Sequence, residues 1–376
     1  MRLFHLSDLH LGKRLNEFSM IEDQKYILKE ILTACEKEKP DGVIIAGDVY
    51  DRSIPSEEAM TLWDDFLTSL AEKCIPVYAI SGNHDSAVRL SDHATLVDAA
   101  GIHLAPVYNG ETKCCTAEDK YGRINIYLLP FIKPASIRSI YPDENINDYT
   151  DACRLAIEHM GIDTAQRNIL VAHQFVTGAE RCDSEEISVG GLDNVAVSVF
   201  DPFDYVALGH IHGKQKIGRD TVRYCGTPLK YSFSEKDQVK SITVVEMKEK
   251  GNVSISEIPL KPEHDLREVR GSFDEISDRS RIGGDPDDYI HAVLTDENDV
   301  IDAAGKLRTV YPNLMKLTYD NTRTREQREI SDAGDIGRKT PAEIFEELYE
   351  KQNNRTMTEE QREFVTERIG LIWGNK

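Results

Sequence analysis

Three absences limit what this sequence can encode. No apolar stretch approaches the roughly 20 residues of a membrane-spanning helix, and no signal-peptide pattern follows Met1, so we expect a cytoplasmic protein without a membrane partner. The seven cysteines are odd in number and none is spaced as CxxC, which favours reduced thiols over a disulfide framework. No GxxxxGK loop followed by Ser or Thr is present, so we expect no ATP site on this chain.

Basic residues are also scarce relative to acidic ones. The 45 Lys and Arg residues face 66 Asp and Glu residues, which gives a formal net charge of −21. A uniformly acidic surface would repel the phosphates of a nucleic acid. Metal-binding carboxylates are offset by their ions, however, and acidic linkers can lie far from a locally basic groove. The net charge therefore informs about solubility more than about substrate.

Five short apolar runs each end in side chains that can bind metals. The runs, all predicted to be buried strands, are Leu3 to Leu6, Val43 to Ala46, Pro76 to Ile80, Ile169 to Ala172 and Tyr205 to Leu208. The clusters that follow them are Asp8 and His10, Asp48 and Asp51, Asn83 with His84 and Asp85, His173, and His210 with His212. Ligand sites in open α/β sheets form outside the carboxyl ends of neighbouring strands. We therefore expect one sheet edge to receive all five clusters.

The donor types indicate the kind of metal site. Oxygen and imidazole donors without thiolate indicate Mn²⁺, Mg²⁺, Fe or Zn²⁺, and the mixed set favours manganese. The candidates are too many for one ion and fit two ions that share a carboxylate. Asp48 is the natural bridge, because Gly47 lets the backbone turn sharply at the strand end. Asp51 has the alternative role of a helix cap before Ser56, and for Asp85 the cap is favoured over catalysis.

Strand patterns that alternate with helix patterns predict an α/β main domain. Helices are predicted at Ile21 to Lys39 and at Ser56 to Lys73. A second sheet is predicted from the strands at Ile124 to Leu129, Arg223 to Cys225, Ser241 to Met247 and Val253 to Pro259. After the acidic stretch 261–270, a small β-β-α-β module is predicted, with elements at Gly271 to Ile276, Asp288 to Thr295, Asn298 to Val310 and Leu314 to Tyr319.

The C-terminal part predicts a linker and two helices. The segment 321–339 offers only Ile330 and Ile336 as large apolar residues, so we expect a mobile linker. Capping signals at Thr340 and Thr358 then predict two helices with large apolar faces. These faces either pack back on the main domain or dock on another protein, and the linker favours docking.

The five motifs together resemble a known set. In this order, Asp8-Leu9-His10, Gly47-Asp48-Val49-Tyr50-Asp51, Gly82-Asn83-His84-Asp85, His173 and Gly209-His210-Ile211-His212 resemble the signature of calcineurin-like metallophosphoesterases. Within that superfamily, three further stretches are similar to the SbcD family, the nuclease subunits of SbcCD complexes: Ser7 to Gly12, Ala207 to His212, and Tyr224 to Pro228 with Tyr231 to Phe233. The resemblance runs from residue 1 to about residue 320 and more loosely through the tail. Lys214 departs from it, because family members often carry Pro there.

The resemblance implies a fold and its division into parts. The expected fold is a calcineurin-like α/β fold, in which two packed mixed sheets are flanked by helices as α/β/β/α layers, with a small α+β capping domain and C-terminal helices. The implied parts are the nuclease domain at 1–262, the capping domain at 263–320, the linker at 321–339 and the helices that dock on a partner at 340–376.

The resemblance also implies roles for the site residues. One ion would be bound by Asp8, His10, Asp48 and His212, and the other by Asp48, Asn83, His173 and His210. His84 would act on the scissile phosphate, by stabilising the transition state or protonating the leaving oxygen, and Asp51 would orient it. The implied reaction is in-line attack by a metal-activated water without a covalent intermediate.

The implied activity is that of an Mn²⁺-dependent exo- and endodeoxyribonuclease. It would degrade duplex ends, with 3′–5′ polarity expected, and cut single strands and hairpins during DNA replication, recombination and repair. The implied partners are DNA, a second copy of the chain and the SbcC ATPase, in a heterotetramer associated with the nucleoid. Two alternatives remain: a stand-alone phosphoesterase acting on nucleotides or phosphoproteins, against which the capping module and tail argue, and a non-catalytic DNA-end scaffold, against which the intact ligand set argues.

Overall fold

Two six-stranded mixed sheets form the centre of the fold. The computed structural model describes residues 1–91, 97–185, 194–278 and 283–325, with scattered residues beyond 344. The first sheet contains β1 (Arg2–Leu6), β4 (Gly42–Ala46), β5 (Val77–Ile80), β6 (Ile102–Ala105), β13 (Ser241–Met247) and β14 (Val253–Pro259) in the order β14-β13-β1-β4-β5-β6. The second contains β7 (Lys113–Asp119), β8 (Gly122–Leu129), β9 (Arg167–His173), β10 (Tyr205–Gly209), β11 (Gln215–Ile217) and β12 (Arg219–Tyr224) in the order β11-β12-β10-β9-β8-β7. A short hairpin of β2 (Arg14–Leu15) and β3 (Phe18–Ser19) follows β1.

The strands that carry the predicted ligands run parallel to their neighbours. β1, β4, β5 and β6 form consecutive parallel pairs, as do β8, β9, β10 and β12. Parallel strands are covered on both faces, which explains why their sequences read as continuous apolar runs. All five predicted ligand-bearing strands are confirmed to within two residues at each end.

Helices cover the outer faces of both sheets, which confirms the predicted α/β/β/α layering. The helices are α1 (Ile21–Glu38), α2 (Glu57–Glu72), α3 (Ala87–Ser91), α4 (Pro134–Ile140) and α5 (Tyr149–Glu158). Val43 and Ile45 of β4 pack in the core beneath α1 and α2, whereas Ile44 and Ala46 pack in the core between the sheets. This alternation follows from the two-residue period of a strand. The core beneath α4 and α5 belongs to the second sheet.

A separate three-stranded parallel sheet follows the main domain. Its strands are β15 (Leu266–Gly271), β16 (Tyr289–Leu294) and β17 (Leu314–Tyr319), in that order. Helix α6 (Phe273–Ser277) follows β15 in the chain, and helix α7 (Ala303–Arg308) follows β16. The predicted strand over residues 271–276 is wrong, because Ser272 and Glu275 form a capping box that starts α6. The residues before it form the strand β15, whose buried side chains are Leu266 and Val269. The module is therefore β-α-β-α-β.

The small module contacts the main domain through a polar and an apolar contact. Buried Asp23 of α1 accepts a hydrogen bond from the Tyr289 hydroxyl at 2.6 Å, and His264 Nδ1 lies 2.9 Å from the same carboxylate. Met20, Leu266 and Tyr289 form a small buried cluster alongside. Residues 326–339 of the predicted linker and most of the predicted C-terminal helices lie outside the described residues. Among the described residues, no helix has the length and apolar character needed to cross a bilayer.

Candidate metal centre

The predicted ligands converge at the point where the carboxyl ends of both large sheets meet. The first sheet contributes Asp8, His10, Asp48, Asn83 and His84, and the second contributes His173, His210 and His212. The expectation of a single sheet edge is therefore wrong, although the convergence itself is observed. β9 contacts both β4 and β5, and β10 contacts β4, so the two sets of strand ends lie against each other.

One half of the centre is built around Asn83. Its Oδ1 atom lies 3.0 Å from His173 Nε2 and 2.9 Å from His210 Nδ1. His173 Nδ1 lies 2.8 Å from the carbonyl oxygen of Ala46. A carbonyl oxygen can only accept, so Nδ1 carries the hydrogen and Nε2 faces the centre. An amide oxygen and two imidazole nitrogens are thus presented to one point.

The other half contains Asp8, His10 and His212. The Nε2 atoms of His10 and His212 lie 3.1 Å apart. Both carboxylate oxygens of Asp8 lie 3.1 Å from the backbone nitrogen of His210, which joins the end of β1 to the end of β10. One ligand atom of each of Asp8, His10 and His212 lies within 4.8 Å of the others. Small adjustments of the side chains would bring all three to the usual distances of about 2.0–2.2 Å from one ion.

Asp48 lies between the two halves. Its Oδ2 atom is 3.3 Å from His173 Nε2 and 3.8 Å from His10 Nε2, and its Oδ1 accepts a hydrogen bond from the backbone nitrogen of His84 at 2.9 Å. Asp48 is almost completely buried. The Asp48 carboxylate therefore lies close to ligands of both halves. This is the position that a bridging carboxylate of a two-metal site requires.

Four of these residues have backbone conformations that L-amino acids rarely adopt. The φ angles are 52° at Asp8, 46° at His10, 49° at Asp48 and 101° at His210. Such conformations are costly and persist where the surroundings impose them, often at functional sites. Here the imposing contacts include the hydrogen bonds from Asp8 N to Gly47 O and from His10 N to Asp48 O, both 3.0 Å long.

Two glycines allow the strand ends to approach this closely. A Cβ atom on Gly82 would lie 2.0 Å from Asp48 Oδ1. One on Gly209 would lie 1.9 Å from the carbonyl oxygen of Ala46 and 2.8 Å from His173 Nδ1. All three distances are inside van der Waals contact, so any side chain at either position would push ligand loops apart.

The electrostatics of the centre favour a cation. Burial raises the pKa of Asp8 to about 6, and burial lowers the pKa of His210 to about 3. The pKa of His10 is also well below its ordinary value because of burial. Burial alone would lower the pKa of His173 too, but the charge of Asp48 and its hydrogen bond, the charge of Asp8 and the hydrogen bond to the Ala46 carbonyl together outweigh burial and raise that pKa to about 9. The buried carboxylates therefore attract positive charge, which a divalent ion would supply more fully than one proton.

His212 is held from behind by a buried polar network that the sequence did not reveal. The Ser184 hydroxyl donates to Glu235 Oε1 at 2.7 Å and lies 2.7 Å from His212 Nδ1. Because the hydroxyl donates to Glu235, its oxygen accepts from Nδ1, which leaves Nε2 unprotonated towards the centre. Buried Glu235 also accepts from Lys240 Nζ at 2.5 Å, and Lys240 donates to the His212 carbonyl at 2.9 Å. Glu235 lies in a polar stretch whose composition is typical of an exposed segment, so nothing in the local sequence indicated that this residue is buried behind His212.

His84 lies beside the centre at a partly exposed position. Its Nδ1 atom donates to the backbone carbonyl of Asp51 at 3.0 Å. The Asp51 carboxylate instead accepts from Lys13 Nζ at 2.7 Å. Asp51 therefore orients His84 through its main chain, not through its side chain as expected. The alternative role as a helix cap is excluded, because the Ser56 side chain caps α2.

Asp85 holds two ligand loops together. Its carboxylate accepts from the backbone nitrogens of Val49 at 3.1 Å, Tyr50 at 2.9 Å and Gly82 at 2.9 Å. The favoured prediction of a helix cap is wrong, because these three donors belong to the loops after β4 and β5. Asp85 thus fixes the position of Asp48 relative to Asn83.

Comparison with known proteins places the chain in a family. The family model for calcineurin-like phosphoesterases matches residues 1–214, and the model for the type 5 capsule protein repressor C-terminal domain matches residues 262–353. The SbcD subunit of the SbcCD nuclease of Staphylococcus epidermidis is 30% identical over 381 residues, which cover 99% of this chain and 99% of the relative. The chain belongs to the SbcD family of calcineurin-like phosphoesterases. It is therefore a metal-dependent phosphoesterase, and the resemblance seen in the motifs is confirmed.

Solved structures give weaker likenesses. The crystal structure of the protein TT1561 from Thermus thermophilus is 10% identical, with a TM-score of 0.39, and the match covers 68% of this chain and 98% of that one. A dimetal phosphatase from Danio rerio is 12% identical, with a TM-score of 0.39, over 69% of this chain and 99% of that one.

The residues present fit the divalent metal that the SbcD family implies. The donors are carboxylate and amide oxygens and imidazole nitrogens, which suit Mn²⁺, Mg²⁺, Fe or Zn²⁺. His173 and His212 each fix their outer nitrogen on an acceptor and turn the other nitrogen inwards, as metal-binding histidines do. The buried carboxylates Asp8 and Asp48 add the negative charge that a cation requires.

Proposed function

We propose that this chain is the nuclease subunit of an SbcCD-type complex and hydrolyses phosphodiester bonds of DNA with two divalent ions, with Mn²⁺ preferred. The proposed activities are exonuclease action on duplex ends with 3′–5′ polarity and endonuclease action on single strands and hairpins. The observation that carries the proposal is the match to a nuclease subunit over 99% of both chains. The predicted ligands of this chain also converge at one centre, in overlapping groups of neighbours.

The two halves of the centre support two ligand sets. In the proposed assignment, the first ion would be bound by Asp8, His10, Asp48 and His212, and the second by Asp48, Asn83, His173 and His210. Two bound divalent ions would activate a water for attack and stabilise charge on the phosphoryl oxygens. The chain itself supplies the geometry: Gly82 and Gly209 permit the close approach, and Asp85 fixes the loops.

His84 is proposed to contact the scissile phosphate. Asn83, His84 and His210 are partly exposed, whereas Asp8 and Asp48 are buried, so substrate reaches the centre on the side of His84. His84 Nδ1 is committed to the Asp51 carbonyl, and the remaining ring nitrogen is available to a phosphate or leaving oxygen.

The remaining parts of the chain are proposed to select DNA and to bind partners. We assign residues 1–262 to the nuclease domain, 263–320 to a capping domain, 321–339 to a linker and 340–376 to helices that dock on an SbcC-type ATPase. The packing of the small module against Asp23 of α1 supports the capping role, because α1 follows the first ligand loop in sequence. Assembly as a homodimer in the cytoplasm, on the nucleoid when DNA is bound, completes the proposal.

The nuclease assignment is tested with the purified full chain and three substrates. With Mn²⁺ we expect cleavage of linear duplex and hairpin DNA, weaker turnover of a small chromogenic phosphodiester and no turnover of a phosphoprotein. Asp48→Asn is the control for contaminating nucleases, since it removes the shared carboxylate. End-labelled duplexes report the polarity, and replacing Mn²⁺ by Mg²⁺ should lower the rate. Robust phosphoprotein hydrolysis without DNA cleavage would contradict the assignment.

The docking assignment has its own experiment. Deleting residues 340–376 should abolish co-purification with the ATPase and leave the Mn²⁺-dependent hydrolysis of a small phosphodiester unchanged. An equal yield of the complex with and without this segment would refute the docking role.

A further inference from the structure

The start of α1 contacts both the small module and a loop that carries a predicted metal ligand. On one side, buried Asp23 accepts a hydrogen bond from the Tyr289 hydroxyl of the module at 2.6 Å. On the other side, the buried Gln24 amide donates to the His10 carbonyl at 2.7 Å and accepts from the Gly12 backbone nitrogen at 2.9 Å. Successive residues of a helix point about 100° apart, so one turn can make both contacts. The same turn therefore holds the module and the His10 loop.

The segment 230–236 makes a second double contact, on the side of His212. Towards the module, Lys236 pairs with Glu268 at 3.0 Å. Towards the centre, Glu235 is the fully buried carboxylate of the hydrogen-bonded network behind His212. Adjacent residues of one short turn thus contact the module and support a predicted ligand.

Tyr231 joins these two supports. Its hydroxyl accepts a hydrogen bond from Gln24 Nε2 at 3.0 Å and donates to the Leu9 carbonyl at 2.6 Å. Its buried ring lies edge-on to the imidazoles of His10 and His212, at 5.8 and 6.3 Å between ring centres. The two segments therefore form one buried support beneath two ligands that are both assigned to the first ion.

The other half of the centre has separate supports. His173 Nδ1 donates to the Ala46 carbonyl at 2.8 Å, and the Asp85 carboxylate accepts from the Gly82 backbone nitrogen at 2.9 Å. Among the described residues, the contacts between the module and the main domain fall on α1, on the hairpin before it and on the segment 230–236. The module is thus connected to one half of the centre and not to the other.

We propose that Gln24 and Glu235 are positioning residues for His10 and His212, and that the docked module keeps both of them in place. Docking of the module and binding of the first ion are then coupled, whereas binding of the second ion does not depend on the module. The inference rests on the proposed function and deepens it, because it names which ion depends on the rest of the chain. Such coupling is reciprocal: loss of docking weakens the ion, and the ion strengthens docking.

The first experiment loosens the module without changing either positioning residue. In the full chain, Tyr289→Phe combined with Glu268→Gln removes a hydrogen bond and an ion pair to the main domain. The matched control is Tyr319→Phe combined with Asp299→Asn. It makes the same two kinds of change, but at contacts that do not involve the main domain.

The affinity for Mn²⁺ is measured by isothermal titration calorimetry in two backgrounds that separate the ions. His210→Ala removes a ligand of the second ion, and His10→Ala removes a ligand of the first. In the His210→Ala background, the loosened module should lower the affinity for Mn²⁺ about tenfold, and the control should not. In the His10→Ala background, the loosened module should leave the affinity unchanged.

Gln24→Met tests the positioning role directly, because it keeps the length of the side chain and loses its hydrogen bonds. In the His210→Ala background it should also lower the affinity for Mn²⁺ about tenfold. As a single variant, it should lose turnover of a small chromogenic phosphodiester at low Mn²⁺ and regain it at high Mn²⁺. Excess metal would not restore a chain that is merely misfolded.

The reciprocal effect is measured without any activity. Hydrogen–deuterium exchange reports how often the backbone amides of β16 in the module open to solvent. Mn²⁺ should slow this exchange in the wild-type chain. It should not slow the exchange in His10→Ala, where only the ligand set of the second ion is complete.

Three outcomes would overturn the inference: equal losses of both ions in the loosened module, an unchanged affinity for the first ion, or exchange of β16 that Mn²⁺ does not slow. If Gln24→Met does not fold, the loosened module decides alone. A wild-type chain that binds fewer than two ions would overturn both the ligand assignment and this inference. One that binds two ions and does not cut DNA would refute the proposed nuclease function alone.

Discussion

Gly209→Ala offers the sharpest test of how the two sheets build the centre. The new methyl group would lie 1.9 Å from the carbonyl oxygen of Ala46 and 2.8 Å from His173 Nδ1. Close contacts between carbon and oxygen are about 3.3–3.6 Å, so β10 and β4 would have to separate by roughly 1.5 Å. The obstacle is backbone, which cannot rotate away as a flexible side chain can.

The separation would act on both halves of the centre at once. The Ala46 carbonyl orients His173, and β10 leads directly into His210. A misplacement of about 1 Å in a catalytic constellation costs about 100-fold in rate. Forced overpacking also costs about 1–3 kcal/mol of stability. We therefore expect a folded but less stable protein with weak Mn²⁺ binding and about 100-fold slower DNA cleavage.

The assay combines three measurements on Gly209→Ala and on a control glycine. Urea unfolding gives the free energy of unfolding, isothermal titration calorimetry gives the affinity for Mn²⁺, and turnover on hairpin DNA gives kcat. Gly283→Ala is the control, because a Cβ atom there meets nothing within 4 Å and its φ is not left-handed. Wild-type metal affinity and wild-type kcat in Gly209→Ala would refute the claim that the two strand ends must touch at this point.

Four further substitutions test single residues. Asp48→Asn should abolish Mn²⁺ binding in calorimetry, whereas His84→Gln should bind Mn²⁺ normally and lose about 100-fold or more in kcat. Glu235→Ala should lower the free energy of unfolding in urea by about 3–5 kcal/mol, because it leaves the buried Lys240 ammonium without its carboxylate. Asp119→Asn should cost about 2 kcal/mol in urea at pH 7, and this cost should shrink as the pH falls below the ordinary pKa of an Asp, because hydrogen bonds from Arg167 hold the pKa of Asp119 below its ordinary range.

The sign of the Asp119 effect follows from the direction of its pKa shift. A carboxyl whose pKa is lower in the folded state stabilises the protein fully above its unfolded pKa, and this contribution is lost as the pH falls. Asp220→Asn is the control, because Asp220 pairs with Lys216 on the surface at 69% exposure. For Glu235, the control is Glu36→Ala, which breaks an exposed pair with Lys73.

If Asp48→Asn and His84→Gln lose Mn²⁺ binding to the same extent, His84 has a structural role and does not act on the phosphate.

Some features were predictable because they are written in short stretches of sequence. The ligand-bearing strands follow from continuous apolar runs, and the ligands follow directly after them, as in β4 and Asp48. The start of the three-stranded module was mispredicted for an equally local reason. The charged residues Arg267, Glu268 and Arg270 kept β15 from being predicted as a strand, and the capping box at Ser272 was read as part of a strand.

Other features have no local signature. Ser184, Glu235 and Lys240 are far apart in sequence or stand in polar runs, and only packing makes them one network behind His212. The chain around Asp51 did not show that its carbonyl, and not its carboxylate, would hold His84.

The sequence by itself determined the donor types and the strands that carry them, and its motifs carried the resemblance to metal-dependent phosphoesterases, because apolar periodicity, ligand chemistry and short motifs are local properties. Only the tertiary structure decided that the ligands come from two sheets, that Asp48 lies between both halves and that glycine is obligatory at position 209. Those properties are distances between strands of different sheets. They are set by how the two sheets pack together, which no single stretch of the chain encodes.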